Sequence, residues 1–305
     1  MLTALAALTA LSLWLWTPDL PRAELEQRYL AAPTDMVEIG VWRLHVRDSG
    51  PPPDAPRATP VLMLHGFGSS LHTWDRWAQA LAAQHRVIRL DLPGSGLSLP
   101  DPAGDYSDAR ALALLQALLD QLGMDRISIV GHSMGGRIAW TLAARHPERV
   151  HKLVLVAPDG FASPRFDYGQ SVEVPAALTV MRYVLPRPVL KMNLQAAYAQ
   201  AETLDEELVS RYHDLIRAPG AREAMLARLR QTVLVRPEPL LAQIRAPTLL
   251  LWGELDRMIP ITNAQDHLQA LPGSRLVRLP DTGHVPQEET PQAALAPVQE
   301  FLGTD

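Results

Sequence analysis

Six short apolar runs, each bounded by turn residues, restrict this chain to very few folds. "VLMLHG" (61–66), "RVIRLDL" (86–92), "ISIVG" (127–131), "KLVLVAP" (152–158), "APTLLLWG" (246–253) and "SRLVRLP" (274–280) place apolar residues largely at consecutive positions. That is the pattern of a strand buried on both faces. Helical periods fill the gaps between the first four, over 71–83, from Ser107 to Leu122 with Gly123 closing it, and over 134–146. Strand and helix alternating in this way predict a parallel sheet with helices on both faces. Upstream, "MVEIGVWRLHVRDSG" alternates apolar and polar residues, as a hairpin with one wet face does. The alternation stops after Pro158. From Asp159 to Pro239 the segments read as helical, among them "VPAALTVMRYVLP", "DEELVSRYHDLIRA" and "AREAMLARLRQTVL". The expected organisation is an α/β core of residues 36–158 and 240–302, with a mostly parallel sheet. A helical cap of residues 159–239 is inserted after its sixth strand, and a helix from about Glu288 to Leu302 ends the chain.

Composition closes several other routes. The 305 residues include no cysteine, which excludes disulfides, thiolate catalysis and Cys-ligated metal. Net charge is -5 with Lys and Arg scattered, so no basic stripe addresses nucleic acid. The N-terminal run "MLTALAALTALSLWLW" carries no charge before Asp19. As a helix its sixteen residues would reach ~24 Å, short of a ~30 Å hydrocarbon core. Trp14 and Trp16 suit a membrane interface. Residues 1–18 are therefore expected to be an anchor or export signal, and the protein to be membrane-attached or exported.

At 131–135 the strand "ISIVG" breaks into Gly-His-Ser-Met-Gly and a helical pattern resumes at once. G-x-S-x-G between a strand and a helix is the setting of a nucleophile elbow: the serine occupies a strained turn and the glycines permit close backbone approach. The helix opening at Met134 also aims N–H groups at charge developing near Ser133.

The chain resembles the α/β-hydrolase family over roughly residues 36–302. "LHGFGSSLHTW" is similar to that family's oxyanion loop, "DLPGSGLS" to the loop after its next strand and "GHSMGGRIAWTLAARHPERVHKLVLVAP" to its nucleophile region. "LLLWGELDRMIP" and "LPDTGHVPQEETP" resemble its acid and histidine segments. The triad runs Ser, Asp or Glu, then His along such a chain. Asp256, just past a strand end, is the expected acid, and His284, after the next strand, the expected base for Ser133. Asp159, following the sixth strand, is the alternative acid. Asp281 lies too near His284 to orient it, and Asp91 reads as a structural turn residue. His65 and His132 are expected to shape the site rather than abstract protons. The backbone N–H groups of Phe67 and Met134 are the expected oxyanion donors, with Gly66 and Gly68 letting the first loop bend.

These residues imply a serine hydrolase of carboxylic esters with no metal or organic cofactor. Most of the stripe Leu178, Met181, Tyr183, Leu185, Met192, Leu194 and Tyr198 reads as ordinary helix-to-core packing, and the same residues are the candidates to line a pocket for uncharged substrates of short to medium length. Arg137, Arg165, Arg182 and Arg187 are the cations weighed for a charged one, and salt bridges are their preferred reading. A carbon–carbon bond hydrolase of ring-fission products, a perhydrolase and an acyltransferase share the same serine. A ligand-binding protein without catalysis is the alternative of another class.

Overall fold

The computed structural model describes residues 15–164, 167–171 and 174–303. The N-terminal apolar run up to residue 14, and Arg165, lie outside them. Among the described residues no helix is long and apolar enough to cross a membrane.

An eight-stranded sheet forms the centre. Its strands are β1 (Met36–Ile39), β2 (Trp42–Asp48), β3 (Val61–Leu64), β4 (Val87–Leu90), β5 (Ile127–His132), β6 (Val150–Val156), β7 (Thr248–Gly253) and β8 (Arg275–Leu279). They stand side by side in the order β1-β2-β4-β3-β5-β6-β7-β8. β1 and β2 form the antiparallel hairpin, β2 pairs antiparallel with β4, and every other neighbour is parallel.

The consecutive apolar residues are explained by two cores. Leu62, Leu64, Ile129, Leu153 and Leu155 face one cluster, completed by α3 (Asp108–Gln121) and α4 (Met134–Arg145). Their neighbours Val61, Met63, Val130, Val154 and Val156 face the other, against α2 (Asp75–Leu81) and α12 (Pro291–Gly303). Period-two geometry sends alternate side chains to opposite faces, and both faces are covered. Ser107 caps α3 by accepting the Arg110 N–H at 3.2 Å, the ordinary N-cap role of serine.

Two expectations about helices change. The C-terminal helix is divided into α11 (Pro286–Glu289) and α12, because Pro291 has no N–H to continue the first turn. "VPAALTVMRYVLP" yields only α5 (Ala176–Thr179) and a 3₁₀ turn, Val180–Arg182. Between β6 and β7 the chain also forms α6 (Arg187–Gln195), α7 (Glu206–Leu215), α8 (Ala221–Gln231) and α9 (Glu238–Leu241), and α10 (Thr262–Ala270) joins β7 to β8. Ahead of the sheet lies α1 (Arg22–Tyr29). The segment before it is tied to these helices: Arg222 of α8 donates to the Thr17 carbonyl at 2.7 Å and pairs with Asp19, while Trp16 stacks on Tyr183 with ring centroids 5.6 Å apart.

Candidate active site

The six parallel strands end on one side of the sheet, so the loops after β3, β5, β7 and β8 converge there, where open α/β sheets bind ligands. Ser133 sits in the corner between β5 and α4 at φ 52°, ψ −119°. A non-glycine residue held there costs on the order of 1–3 kcal/mol, which the surrounding packing must supply. The reason for flanking glycines is contact. A Cβ at Gly131 would lie 2.4 Å from the Gly135 carbonyl oxygen, and one at Gly135 would lie 2.4 Å from that of Leu64. The strand thus turns tightly into α4 only if Gly131 lacks a side chain, and the corner fits against β3 only if Gly135 does.

The loop after β3 meets this corner directly. A Cβ at Gly66 would come within 3.2 Å of the Ser133 Cβ, so the loop approaches the hydroxyl at backbone distance. Gly68 (φ +68°) closes the turn, with Ser69 N–H donating to Gly66 O at 3.3 Å. His65 braces it: Nδ1–H donates to the Gly66 carbonyl at 2.7 Å, and Nε2 accepts the Leu92 N–H at 3.0 Å. Burial keeps His65 neutral by lowering its pKa. The Phe67 N–H has no acceptor among the described residues. Met134 opens α4, and first-turn N–H groups have no intrahelical partner. Two free donors thus flank Ser133.

Asp256 and His284 come together as the sequence order anticipates. His284 Nδ1–H donates to Asp256 Oδ2 at 2.7 Å, with both side chains buried. Asp256 Oδ1 accepts the N–H groups of Met258 and Ile259 at 2.8 and 2.9 Å, which fixes the carboxylate. With Nδ1 protonated, Nε2 is the basic nitrogen of the ring. His132 steadies the same loop, donating from Nε2 to the His284 carbonyl at 2.8 Å. Burial, with His284 nearby, holds its pKa well below the usual histidine range.

The other carboxylates are engaged elsewhere. Asp159 faces Arg137 at 3.3 Å; burial raises its pKa and the guanidinium opposes the rise. Asp91 accepts from His45 and from the Leu71 and Leu97 N–H groups. Burial alone would raise this carboxyl, but His45 and its neighbours bring it down to about 2. It holds loops in place. Asp281 is exposed, at φ 53°. Among the described residues no group of three His, Asp or Glu is arranged to hold a metal ion.

Beside the loop after β3 lies an open cleft. Leu178, Tyr183 and Met192 are exposed, and none of the seven lines the cleft. The walls are instead Phe67 to Ser70, Gly94 to Gly96, and Arg211, Tyr212, Leu215, Met225 and Arg228 from α7 and α8. Neither arginine was singled out from sequence. The available signal was position: Ala221, Met225 and Arg228 fall at i, i+4 and i+7 on one helix face, so a cation shares the cleft-facing side of α8. Of the arginines weighed, Arg137 is tied to Asp108 and Asp159 and Arg187 to Glu206.

Glu288 of α11 joins these helices to the core. It accepts from Tyr198 at 2.5 Å, Tyr212 at 2.9 Å and Arg211 at 3.2 Å, and Ser69 Oγ lies 3.3 Å from the Tyr212 hydroxyl. Burial and the Glu288 charge raise the pKa of both tyrosines, so both remain donors.

Fold and site together define an α/β hydrolase. The model of the alpha/beta hydrolase fold matches residues 59–291, and the chain belongs to that family. Among its relatives is 2-hydroxy-6-oxononadienedioate/2-hydroxy-6-oxononatrienedioate hydrolase 2 of Pseudomonas putida, 32% identical over 277 residues that span 85% of this chain and 91% of the relative. The crystal structure of a membrane phospholipase A described as a bacterial virulence factor superposes with a TM-score of 0.75 at 27% identity, covering 99% of this chain and 96% of the other. A meta-cleavage product hydrolase from Pseudomonas fluorescens IP01 shares the fold, with a TM-score of 0.74 at 23% identity over 88% of this chain and 98% of that one.

Proposed function

We propose that this hydrolase cleaves carboxylic esters through an acyl-enzyme formed on Ser133. The observation that carries the reading is the assembly of a buried Asp256–His284 couple, a strained Ser133 and a glycine turn with a free Phe67 N–H at one end of the sheet. In the mechanism, Ser133 Oγ attacks the ester carbonyl as His284 Nε2 takes its proton. The oxyanion is held by the N–H groups of Phe67 and Met134, each worth roughly 3 kcal/mol of barrier. His284 returns the proton to the departing alcohol. It then removes a proton from water, which attacks the acyl group and releases acid and free Ser133. Asp256 keeps the ring in one tautomer and stabilises the imidazolium.

The likeness to a membrane phospholipase A over the full length favours an ester substrate. Together with the apolar N-terminal sequence, it also favours attachment to a membrane, with residues 159–239 acting as a cap. The Pseudomonas putida relative favours a second reading, carbon–carbon cleavage of an oxo-dienoate by the same triad.

Initial rates on p-nitrophenyl esters from acetate to palmitate test the first. Wild type is expected to cleave at least one of them, and Ser133→Ala to lose ~10⁴-fold or more in kcat. If wild type cleaves none faster than Ser133→Ala, the esterase reading is wrong and the oxo-dienoate reading replaces it.

A further inference from the structure

We infer that the cleft beside the oxyanion loop holds an anionic group of the substrate on Arg228. This inference rests on the ester-hydrolase reading and adds the charge of the substrate to it.

Arg228 projects from α8 with 7% of its surface exposed. Within the protein it donates from one terminal nitrogen to the Pro93 carbonyl at 2.9 Å and lies over the Tyr106 ring at 4.9 Å. No carboxylate lies within ion-pair distance of it among the described residues, although Arg110, Arg137, Arg187, Arg211 and Arg222 each have one. A carbonyl and a ring face leave most of a guanidinium's five donors unused, and a buried cation without an anion is costly. Burial draws its pKa down to about 10, against the pull of Tyr106 and of Asp108, whose carboxylate is paired with Arg137, so it stays protonated at neutral pH without an ion pair of its own.

The same side chain forms part of the cleft wall that begins at Phe67 and Gly68. Those residues directly follow Gly66, which abuts Ser133. A substrate whose carbonyl oxygen sits at the Phe67 N–H therefore has one arm running along Ser69, Ser70 and Ser95 towards Arg228. Arg211, in the same wall, is already balanced by Glu288, which leaves Arg228 as the cation with charge to spare. A carboxylate on that arm would supply the missing anion, with the serine hydroxyls as neutral donors beside it. A neutral arm would leave Arg228 unpaired in a cleft emptied of water.

Two ester pairs matched in length read this directly. Mono-p-nitrophenyl adipate against p-nitrophenyl hexanoate places the charge on the acyl side; 4-acetoxybutanoate against butyl acetate places it on the alcohol side. In one pair, wild type is expected to favour the charged ester in kcat/KM, chiefly through KM. Arg228→Gln is expected to lower that charged-to-neutral ratio by ~10–100-fold, the range for a hydrogen bond to a charged group, and Arg228→Lys to restore much of it. No preference for charge in either pair, or a ratio that Arg228→Gln leaves unchanged, overturns the inference. If wild type cleaves neither pair, the ester reading has failed. The subsite is then judged by calorimetric binding of adipate to Ser133→Ala: loss of binding on adding Arg228→Gln sustains it, and equal binding refutes it.

Discussion

The corner around Ser133 and the helices between β6 and β7 are held by different means. At the corner the restraint is backbone against backbone. Gly131, Gly135 and Gly66 each sit where a Cβ would collide with a main-chain or neighbouring atom, and the result is a site with almost no freedom. The helices between β6 and β7 rest on two small apolar clusters, Leu215, Ala218 and Ala221 with Leu25 and Leu97, and Tyr198, Leu204 and Val209 with Val285, and on long polar side chains: Arg211, Tyr198 and Tyr212 on Glu288, Arg228 on Pro93, and Arg222 on Thr17 and Asp19. Such contacts can be exchanged one at a time without disturbing the sheet. On the proposed mechanism, the chemistry is thus built into the rigid half and the choice of substrate into the adjustable half.

The sharpest way to break this contrast is at the acid. Asp256→Asn leaves the geometry nearly intact but favours the wrong histidine tautomer, and is expected to lower kcat by ~10⁴-fold. Asp159→Asn loosens only the pair with Arg137 and should cost far less. Steady-state kinetics of the two variants that came out in the opposite order would move the acid to Asp159. Next in size is Gly135→Ala, whose new methyl meets the Leu64 and His65 carbonyl oxygens at 2.4 and 2.5 Å. Overpacking of that kind is expected to cost about 3 kcal/mol of stability, measured by urea unfolding. A midpoint equal to wild type would show that the corner yields and is not rigid. The smallest effect is expected from Glu288→Gln, which weakens three charge-assisted hydrogen bonds at once. KM should rise by about tenfold while the unfolding midpoint shifts little, since the sheet does not depend on Glu288. A fall in kcat at constant KM would instead make the network part of the catalytic geometry.

The same contrast explains what was legible in the sequence. Each part of the proposed triad carries a signature within a few residues: a glycine-framed serine after an apolar run, an aspartate just past a strand, and a histidine after the next strand. Strands buried on both faces declare themselves by consecutive apolar residues, as Val61 to Leu64 do. Asp256 and Asp159 were both open because each follows a strand; what separates them is the Met258 and Ile259 N–H groups on one and Arg137 on the other. The cleft lining was not legible. Whether Met192 or Met225 faces the substrate depends on how short helices dock, and that is decided by partners such as Pro93 and Tyr106, more than a hundred residues upstream of Arg228. An amphipathic pattern names a buried face without naming what lies across from it.

The tie between the start of the described chain and α8 has a consequence for truncation. A chain beginning at Leu20 would retain every strand, the Ser133 corner and the Asp256–His284 couple. It would also strand the Arg222 guanidinium, whose side chain is 2% exposed, without the Thr17 carbonyl and the Asp19 carboxylate that now receive it. The residues just before α1 are therefore a keystone for α8, and trimming them would remove part of the cleft's own scaffold.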